Sequence, residues 1–478
     1  MDLFDVIVLG AGPVGENVAD RARAAGLSAA VVEGELAGGE CSYWACIPSK
    51  ALLRPPAALA DARAVAGARE AADGRLDARA VLERRDTFAA HWDDAGQVRW
   101  IDSTGAEFIR GHGRIDGPRR VIVETPGGER RTLTATHAVA VCTGTRATVP
   151  PLPGLGGPDG VEPWTSRQGT AAREVPGRLA VVGGGPVAVE LATAWQALGS
   201  AVTLLVRGES VLDRMEPFVG EYVLDGLRRA GVDVRTNTEA REVRRPRPGE
   251  PLTLPLQDGG EVTADEVLFA TGRAPRTEDI GLDTVGLAPG DWLEVDDSCR
   301  VRGVKGGWLY AVGDVNHRAL LTHQGKYQAR VAGAAIAARA AGVPLLETDR
   351  WGAHAATADS AAVPQVVFSH PEAAAVGLTH AQARERGLRV RAVDHDLGAV
   401  AGAALHADDY RGRARLVVDE ERQTVVGAAF VGPGVSELLH AATIAVAAEV
   451  PIERLWHAVP AFPTMSEIWL RLLEEYRG

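Results

Sequence analysis

The sequence predicts an α/β protein with two repeated strand–turn–helix–strand units and a C-terminal region of mixed α+β structure. Two glycine-rich turns, near residues 10 and 183, each follow an apolar, β-branched run and precede a helical stretch. After about residue 350 the strands become shorter, and residues 413–418 and 424–431 flank a charged turn as in a hairpin. The repeated units predict parallel sheets, and the final pattern predicts a separate α+β part.

Length and charge restrict the possible functions. The 478 residues correspond to about three domains. The net charge is −12 and no basic stripe is present, which argues against nucleic acid and anionic membranes as partners. No apolar run reaches the roughly 18 residues of a membrane helix. The N-terminal segment, with acids at Asp2 and Asp5, resembles neither a signal peptide nor a transit peptide, so we expect a cytoplasmic protein.

The first glycine turn matches the dinucleotide-binding fingerprint. Gly10, Gly12 and Gly15 have the required spacing, and Glu33 ends the following strand. A helix N-terminus at this point offers free N–H groups to a pyrophosphate, and Gly12 lets the backbone approach it. Glu33 can accept hydrogen bonds from ribose hydroxyls, which suits a dinucleotide without a 2′-phosphate, such as FAD. The unit is therefore Rossmann-like.

The second glycine turn predicts a second dinucleotide site. Gly183, Gly185 and Ala188 occupy the fingerprint positions, but the next strand, 201–206, ends without an acid and is followed by Arg207. An arginine can bind a 2′-phosphate, which an acid would repel. The alternative is a surface arginine in a chain rich in arginine. The sequence favours NADPH over NADH.

Two of the four cysteines form a close pair. Cys41 and Cys46 are separated by four residues, a spacing that fits a helical turn with the sulfurs within bonding reach. In a reducing compartment such a pair indicates redox or metal chemistry, and no further cysteine or histidine pair stands nearby to complete a metal site. We predict no metal. Cys142 lies in an apolar run and is expected to be buried, whereas Cys299 is given no role.

Lysine is rare in this chain. Its 51 basic residues include only three lysines, at positions 50, 305 and 326. Lys50 follows Cys46 by four residues, where a cation and a helix N-terminus would stabilise a thiolate.

Several segments together carry a resemblance that covers essentially the whole chain. They are residues 38–50, 142–145, 183–190, 270–275, 311–314, 321–323 and 363–379. With these segments the sequence resembles the class I pyridine nucleotide–disulfide oxidoreductases, the family of dihydrolipoyl dehydrogenase, glutathione and mycothione reductases, and mercuric reductase.

The resemblance implies a domain order and an assembly. The FAD domain would consist of residues 1–150 and 276–348, with an inserted NAD(P)H domain at 151–275. Residues 349–478 would form an α+β dimerisation domain, and the protein would be a homodimer. Electrons would pass from reduced nicotinamide through FAD and the cysteine pair to a small-molecule acceptor.

The resemblance also implies roles for individual residues. Cys41 would exchange with substrate, and Cys46 would lie against the flavin. Lys50 and Glu190 would pair beside the flavin N5, and Asp314 would bind the ribityl chain. Further cofactor contacts would come from Gly39, His112 or Gly113, Thr143, Gly144, Gly272, Leu321 and Thr322.

The C-terminal segment departs from the family pattern. Family members that handle dithiols have a histidine before Pro-Thr, followed closely by Ser-Glu, and that imidazole acts as the acid–base for the thiols. Here Phe462 stands at the histidine position, whereas Glu467 is retained. His457 lies five residues upstream. Loss of the imidazole should slow dithiol exchange by about 10²–10⁴-fold.

Other features separate the chain from particular family members. The C-terminal residues 475–478 contain no cysteine pair to collect mercury, and soluble transhydrogenases lack the full cysteine pair. The leading hypothesis is a reductase for a quinone, a metal ion or an unusual disulfide. The alternatives are a dihydrolipoyl dehydrogenase with a relocated base and a low-turnover flavin redox sensor. The intact redox residues argue against the sensor.

Overall fold

The computed structural model describes residues 2–157, 160–345 and 348–478. Its α-helices are α1 (Pro13–Ala24), α2 (Gly39–Tyr43), α3 (Cys46–Arg63), α4 (Ala78–Phe88), α5 (Ala95–Ser103), α6 (Ser166–Ala171), α7 (Pro186–Ala197), α8 (Pro217–Arg229), α9 (Thr322–Ala340), α10 (Ala358–Ala361), α11 (His380–Glu385), α12 (Ala401–His406), α13 (Leu439–Ala447), α14 (Ile452–Leu455) and α15 (Ile468–Arg477).

The strands of the first half are β1 (Asp2–Leu9), β2 (Ala29–Glu33), β3 (Glu107–Arg110), β4 (His112–Ile115), β5 (Arg120–Glu124), β6 (Arg130–Val141), β7 (Thr145–Ala147), β8 (Arg178–Val182), β9 (Ala201–Leu205) and β10 (Asp233–Arg235). Those of the second half are β11 (Leu252–Pro255), β12 (Glu261–Ala264), β13 (Glu266–Phe269), β14 (Arg273–Pro275), β15 (Leu309–Ala311), β16 (Pro364–Val367), β17 (Glu372–Gly377), β18 (Val390–Asp396), β19 (Arg413–Asp419) and β20 (Thr424–Gly432).

The chain divides into two compact units, each made of three segments. Unit 1 comprises Met1–Ile47, Asp86–Ala147 and Arg273–Ser360. Unit 2 comprises Pro48–Arg85, Thr148–Gly272 and Ala361–Gly478. The predicted division after residues 150, 275 and 348 is finer and stays a prediction.

Unit 1 is built on a seven-stranded sheet. Its strand order is β3-β2-β1-β6-β5-β4, with β15 also paired to β6. The strands β3, β2, β1, β6 and β15 are parallel, and β4 and β5 continue the sheet in antiparallel pairing. Along β1, Val6 and Val8 belong to one buried cluster and Ile7 and Leu9 to another. Both faces of β1 are therefore covered, which explains its continuous apolar run.

Unit 2 contains two larger sheets. A four-stranded parallel sheet has the order β10-β9-β8-β13, and a five-stranded antiparallel sheet has the order β16-β17-β20-β19-β18. The predicted hairpin is the β19–β20 pair, in which Asp419 lies opposite Thr424. The expected α/β class, with two parallel-sheet units and an α+β C-terminal part, is confirmed.

The stretch from 51 to 100 is less helical than its alanine-rich sequence predicts. Helix α3 ends at Arg63, and α4 begins only at Ala78. Between α4 and α5, the residues 90–92 adopt positive φ angles of 48° to 58°. The side chains of L-residues disfavour this left-handed conformation. The helical structure that the composition predicts for residues 51–100 is therefore interrupted at residues 90–92.

Candidate functional site

The first glycine turn forms a cradle in unit 1 at the N-terminus of α1. A Cβ atom added at Gly15 would lie 1.9 Å from the Gly10 carbonyl oxygen, so only glycine allows this close packing of helix and turn. At Gly12, in contrast, an added Cβ would meet no atom within 4 Å among the described residues. The open side at Gly12 leaves the backbone accessible to a ligand, and the N-terminus of the twelve-residue helix suits an anion.

Glu33 is held at the edge of this cradle. Its two carboxylate oxygens accept hydrogen bonds from the backbone N–H groups of Ala11, at 2.8 Å, and Glu35, at 2.7 Å. Burial raises the pKa of Glu33, and the two backbone donors lower it. Each oxygen keeps a second lone pair, which could accept a ribose hydroxyl.

The carboxyl edge of the same sheet supplies further polar groups. The Thr143 hydroxyl is buried and has no hydrogen-bond partner among the described residues. Thr145 Oγ1 donates to Asp314 Oδ2 at 2.8 Å, and Arg273 donates to Thr145 Oγ1 at 2.5 Å and to Glu40 Oε2 at 2.6 Å. Burial raises the pKa of Asp314. An orphaned buried hydroxyl beside an open backbone cradle fits a bound cofactor such as FAD.

The paired cysteines lie on two different helices of unit 1. Cys41 belongs to α2, and Cys46 begins α3 after a break at Trp44, whose ψ is 4°. The expected single helical turn between the cysteines is therefore wrong. The Trp92 indole N–H donates to the Tyr43 carbonyl at 3.2 Å, which gives this last carbonyl of α2 a partner outside the helix.

The two sulfurs nevertheless interact. All four cysteines are free thiols in the structure. A hydrogen bond with Cys46, followed by burial, raises the pKa of the Cys41 thiol. Cys46 Sγ lies 3.3 Å from Thr322 Oγ1 at the start of α9. Cys142 and Cys299 are both buried, although the polar sequence around Cys299 gave no indication of this.

Unit 2 holds the second cradle. Helix α7 begins directly after Gly185, where an added Cβ would meet no atom within 4 Å among the described residues. Ala188 is buried, and an added Cβ at Gly183 would lie 3.4 Å from its methyl group. Strand β9 ends at Leu205, and the side chain of Arg207 is exposed two residues later. The arrangement repeats the first cradle, with Val206 at the position of Glu33 and a cation, Arg207, directly after it.

Lys50 and Glu190 form an ion pair in unit 2. Lys50 Nζ donates to Glu190 Oε2 at 2.6 Å, and the backbone N–H of Phe368 donates to Glu190 Oε1 at 3.0 Å. Glu190 is only 5% exposed. The Lys50 ammonium also lies 5.1 Å from the Phe368 ring centre. A buried carboxylate with two donors is held in one orientation.

The segment before α15 presents an exposed phenyl ring. Phe462 is 76% exposed, and Val459 is exposed as well. Glu467 is buried; its Oε1 accepts a 2.6 Å hydrogen bond from Arg471, and its Oε2 has no hydrogen-bond partner among the described residues. The phenyl ring of Phe462 has no nitrogen or oxygen that could pair with this carboxylate oxygen.

The remaining predicted cofactor residues are distributed between the units. In unit 1, Gly113 packs against Leu9, Leu321 precedes α9, and Gly39 lies against Gly12, where an added Cβ would be 2.9 Å from the Gly12 Cα atom. Gly144 in unit 1 and Gly272 in unit 2 face open space. The roles proposed for all of these residues stay predictions.

Some polar groups were missed by the sequence reasoning. Glu16 is buried directly after the fingerprint, and Arg273 and Glu40 pair beside Asp314. The signal for Glu16 was present, because it is an acid at an expected apolar helix position. Lys326 was missed as well, and its signal was its rarity as a lysine.

The part of the chain that the structure describes contains neither a candidate metal cluster nor a candidate membrane-spanning helix. No cluster of three histidine, cysteine, aspartate or glutamate side chains could hold a metal ion there. None of its helices is long and apolar enough to span a membrane.

Two helix-terminal cradles for dinucleotides, together with a thiol pair beside the first, define a dinucleotide-dependent oxidoreductase with a dithiol centre. Residues 4–341 match the family model "pyridine nucleotide-disulphide oxidoreductase", and residues 363–472 match the dimerisation domain of that family. The chain belongs to the pyridine nucleotide–disulfide oxidoreductase family, whose members are enzymes that use FAD and NAD(P)H.

Curated relatives have different activities. The dihydrolipoyl dehydrogenase of Thermus scotoductus is 31% identical over 473 residues, which cover 98% of this chain and 96% of the relative. The mercuric reductase of Staphylococcus aureus is 29% identical over 470 residues, covering 97% and 81% of the two chains. The structure of LpdA from Mycobacterium tuberculosis has a TM-score of 0.82 at 24% identity, covers both chains completely and shows the same fold.

Proposed function

We propose that this protein is a homodimeric FAD-dependent reductase that passes electrons from NADPH through the flavin and the Cys41–Cys46 pair to an acceptor that needs no imidazole. The leading acceptor is a quinone; a metal ion or an unusual disulfide is also compatible. The observation that carries the proposal is Phe462, an exposed phenyl ring at the position where dithiol-handling relatives have the acid–base histidine.

The chain's own residues have distinct tasks in this proposal. FAD, when bound, would supply the two-electron chemistry that links the hydride of the nicotinamide to the cysteine pair. Gly12 and the N-terminus of α1 bind its pyrophosphate, and Glu33 binds the ribose. By the resemblance, Lys50, fixed by Glu190, would supply a positive charge beside the flavin N5. A compact ammonium suits a crowded position better than a planar guanidinium, which explains a lysine in an arginine-rich chain.

The cysteine pair forms a disulfide in the oxidised enzyme. Two electrons break the sulfur–sulfur bond and give two thiolates, which become thiols when they take up two protons. Transfer of the two electrons and two protons to a quinone gives the hydroquinone and forms the disulfide again. With a disulfide acceptor, Cys41 is the thiol that exchanges, and Cys46 lies against the flavin. A phenyl ring at residue 462 cannot transfer a proton, and an apolar environment raises the free energy of a thiolate.

NADPH is the preferred electron donor in this proposal. Arg207 is exposed at the end of β9, where a 2′-phosphate would lie, and Val206 takes the place of an acid.

Steady-state reduction of a quinone, lipoamide, glutathione disulfide and metal ions by NADPH tests the proposal. Quinone turnover should exceed disulfide turnover by a wide margin. Phe462→His should raise disulfide turnover by up to about 10²-fold, because general acid–base catalysis is restored. Phe462→Leu is the matched control, since it changes the side chain without supplying a proton, and it should leave disulfide turnover low.

The relatives named dihydrolipoyl dehydrogenase support a second candidate, the same activity with a relocated base. His457 is exposed and five residues from Phe462. Fast dihydrolipoamide oxidation by the wild type, lost in His457→Ala, would establish this candidate and exclude the first.

A further inference from the structure

The helix that contacts the cysteine pair carries a lysine on its next turn. Thr322, at the start of α9, lies 3.3 Å from Cys46 Sγ. Lys326 follows four residues later, so the two side chains share one face of α9. The positive charge of Lys326 lowers the pKa of Cys41, against the hydrogen bond with Cys46 and the burial that raise it. Lys326 itself is exposed.

Composition supports a specific need for this lysine. The chain has 51 basic residues but only three lysines. Lys50 lies four residues after Cys46. Lys326 lies four residues after Thr322, which contacts Cys46. The third, Lys305, lies in a turn between strands. A flexible stem with a compact charge can approach a sulfur where a planar guanidinium is harder to place.

Helix α1, which packs against the helix of Lys326, carries a buried carboxyl. The helix packs on α9, because a Cβ added at Gly325 would lie 2.4 Å from Val14 Cγ2. Glu16, two residues after Val14, is 7% exposed, and its Oε1 has no hydrogen-bond partner among the described residues. An unpaired buried acceptor of this kind is unfavourable and calls for an explanation.

Titratable groups on three neighbouring elements, α9, β2 and α2, act on Glu16. Lys326 on α9 lowers its pKa, and Glu33 at the end of β2 raises it. On α2, the Tyr43 phenol interacts electrostatically with Glu16. Burial is the largest effect and raises the pKa of Glu16 to about 8. The carboxyl is therefore mostly neutral at pH 7 and becomes an anion in mildly alkaline solution.

We propose that Lys326 and Glu16 control the charge of Cys41 in place of the imidazole that is missing at residue 462. This proposal rests on the electron route through the cysteine pair. When the disulfide is reduced, the sulfur–sulfur bond breaks and Cys41 becomes a thiolate, which Lys326 stabilises until a proton or an acceptor takes its charge. Neutral Glu16 leaves the field of Lys326 intact. Anionic Glu16 cancels part of it, so the effect weakens above about pH 8. Lys326 and Glu16 are positioning residues in this scheme, because they act through Cys41.

The alkylation rate of Cys41 tests this control directly. The FAD-loaded protein is reduced chemically, without nicotinamide, and iodoacetamide modification of Cys41 is followed by tandem mass spectrometry from pH 6 to 10. Lys326→Met should slow alkylation at neutral pH by about threefold to tenfold, because the thiolate loses a nearby cation. Lys326→Arg should restore only part of the rate, because a planar guanidinium is harder to place near the sulfur. Lys305→Met, the matched control, should leave the rate unchanged.

Glu16→Gln tests the other half of the pair. The variant should alkylate faster than the wild type above about pH 8, and equally fast at pH 6. Identical pH profiles of Lys326→Met and Lys305→Met, or of Glu16→Gln and the wild type, would overturn the proposal. Because the reaction uses no nicotinamide and no acceptor, these results do not depend on turnover. A wild type whose flavin is reduced by neither NADPH nor NADH would instead refute the proposed function.

Discussion

The buried carboxyl of Glu16 should make the free energy of unfolding of this protein depend on pH. Glu16→Gln keeps the size and shape of the side chain and removes its charge. The pKa of Glu16 rises from 4.5 to about 8 on burial. Below pH 4.5 the folded and unfolded forms both hold the proton. Between pH 4.5 and 8 only the folded form holds it, so the stability of the wild type falls as the pH rises.

The size of this effect follows from the shift. Each pKa unit corresponds to about 1.4 kcal/mol, so the full destabilisation above pH 8 is about 5 kcal/mol. Between about pH 5.5 and pH 8, the advantage of Glu16→Gln over the wild type should grow by about 3 kcal/mol.

Urea unfolding of the FAD-loaded protein at both pH values measures this difference. Glu294→Gln is the matched control, since Glu294 is an exposed glutamate of unit 1, and it should give nearly the same stability change at both pH values. The reasoning would be refuted by a Glu16→Gln advantage that is equal at both pH values, or by a loss of stability that increases with pH.

Two further predictions concern the cofactors. Arg207→Glu should lower kcat/KM for NADPH by about tenfold to a hundredfold, because a charge-assisted hydrogen bond to the 2′-phosphate is lost. The kcat/KM for NADH should change little. A wild type that prefers NADH would contradict the assignment. In the two-electron-reduced protein, Cys46→Ser should abolish the long-wavelength absorption band of a thiolate against the flavin, whereas Cys41→Ser should retain it; loss of the band only in Cys41→Ser would mean that the two sulfurs have the opposite roles.

The sequence predicted those features that depend on spacing along the chain. Both cradles follow from glycines at fixed offsets between an apolar strand and a helix, and the sheet pairing brings the strand ends together. Gly15 shows why such a pattern is informative, since a methyl group there would overlap the Gly10 carbonyl. The β19–β20 hairpin was predicted nearly to the residue because its apolar pattern is bounded by a charged turn.

Features that depend on contacts between distant segments could not be predicted. The break between Cys41 and Cys46 accompanies a hydrogen bond from Trp92, almost fifty residues away. The second anchor of Glu190 is the backbone N–H of Phe368, which carries no signal in its residue type. Helix α1, which carries the buried Glu16, packs against α9, more than 300 residues later in the chain. Helical spacing alone contains none of this information.

Glu467 shows how the family pattern can lose its imidazole without losing the acid that follows it. Glu467 directly precedes α15, where a carboxylate interacts favourably with the helix dipole. It also accepts a hydrogen bond from Arg471 on the next turn, so its buried charge is compensated. Removing the imidazole therefore leaves one orphaned oxygen, Oε2, rather than an unpaired charge. An unpaired buried oxygen costs about 1–3 kcal/mol, whereas an unpaired buried charge costs about 3–5 kcal/mol. Retention of Glu467 is thus explained by α15 and Arg471, and it is no argument that a histidine from elsewhere in the chain takes the place of residue 462.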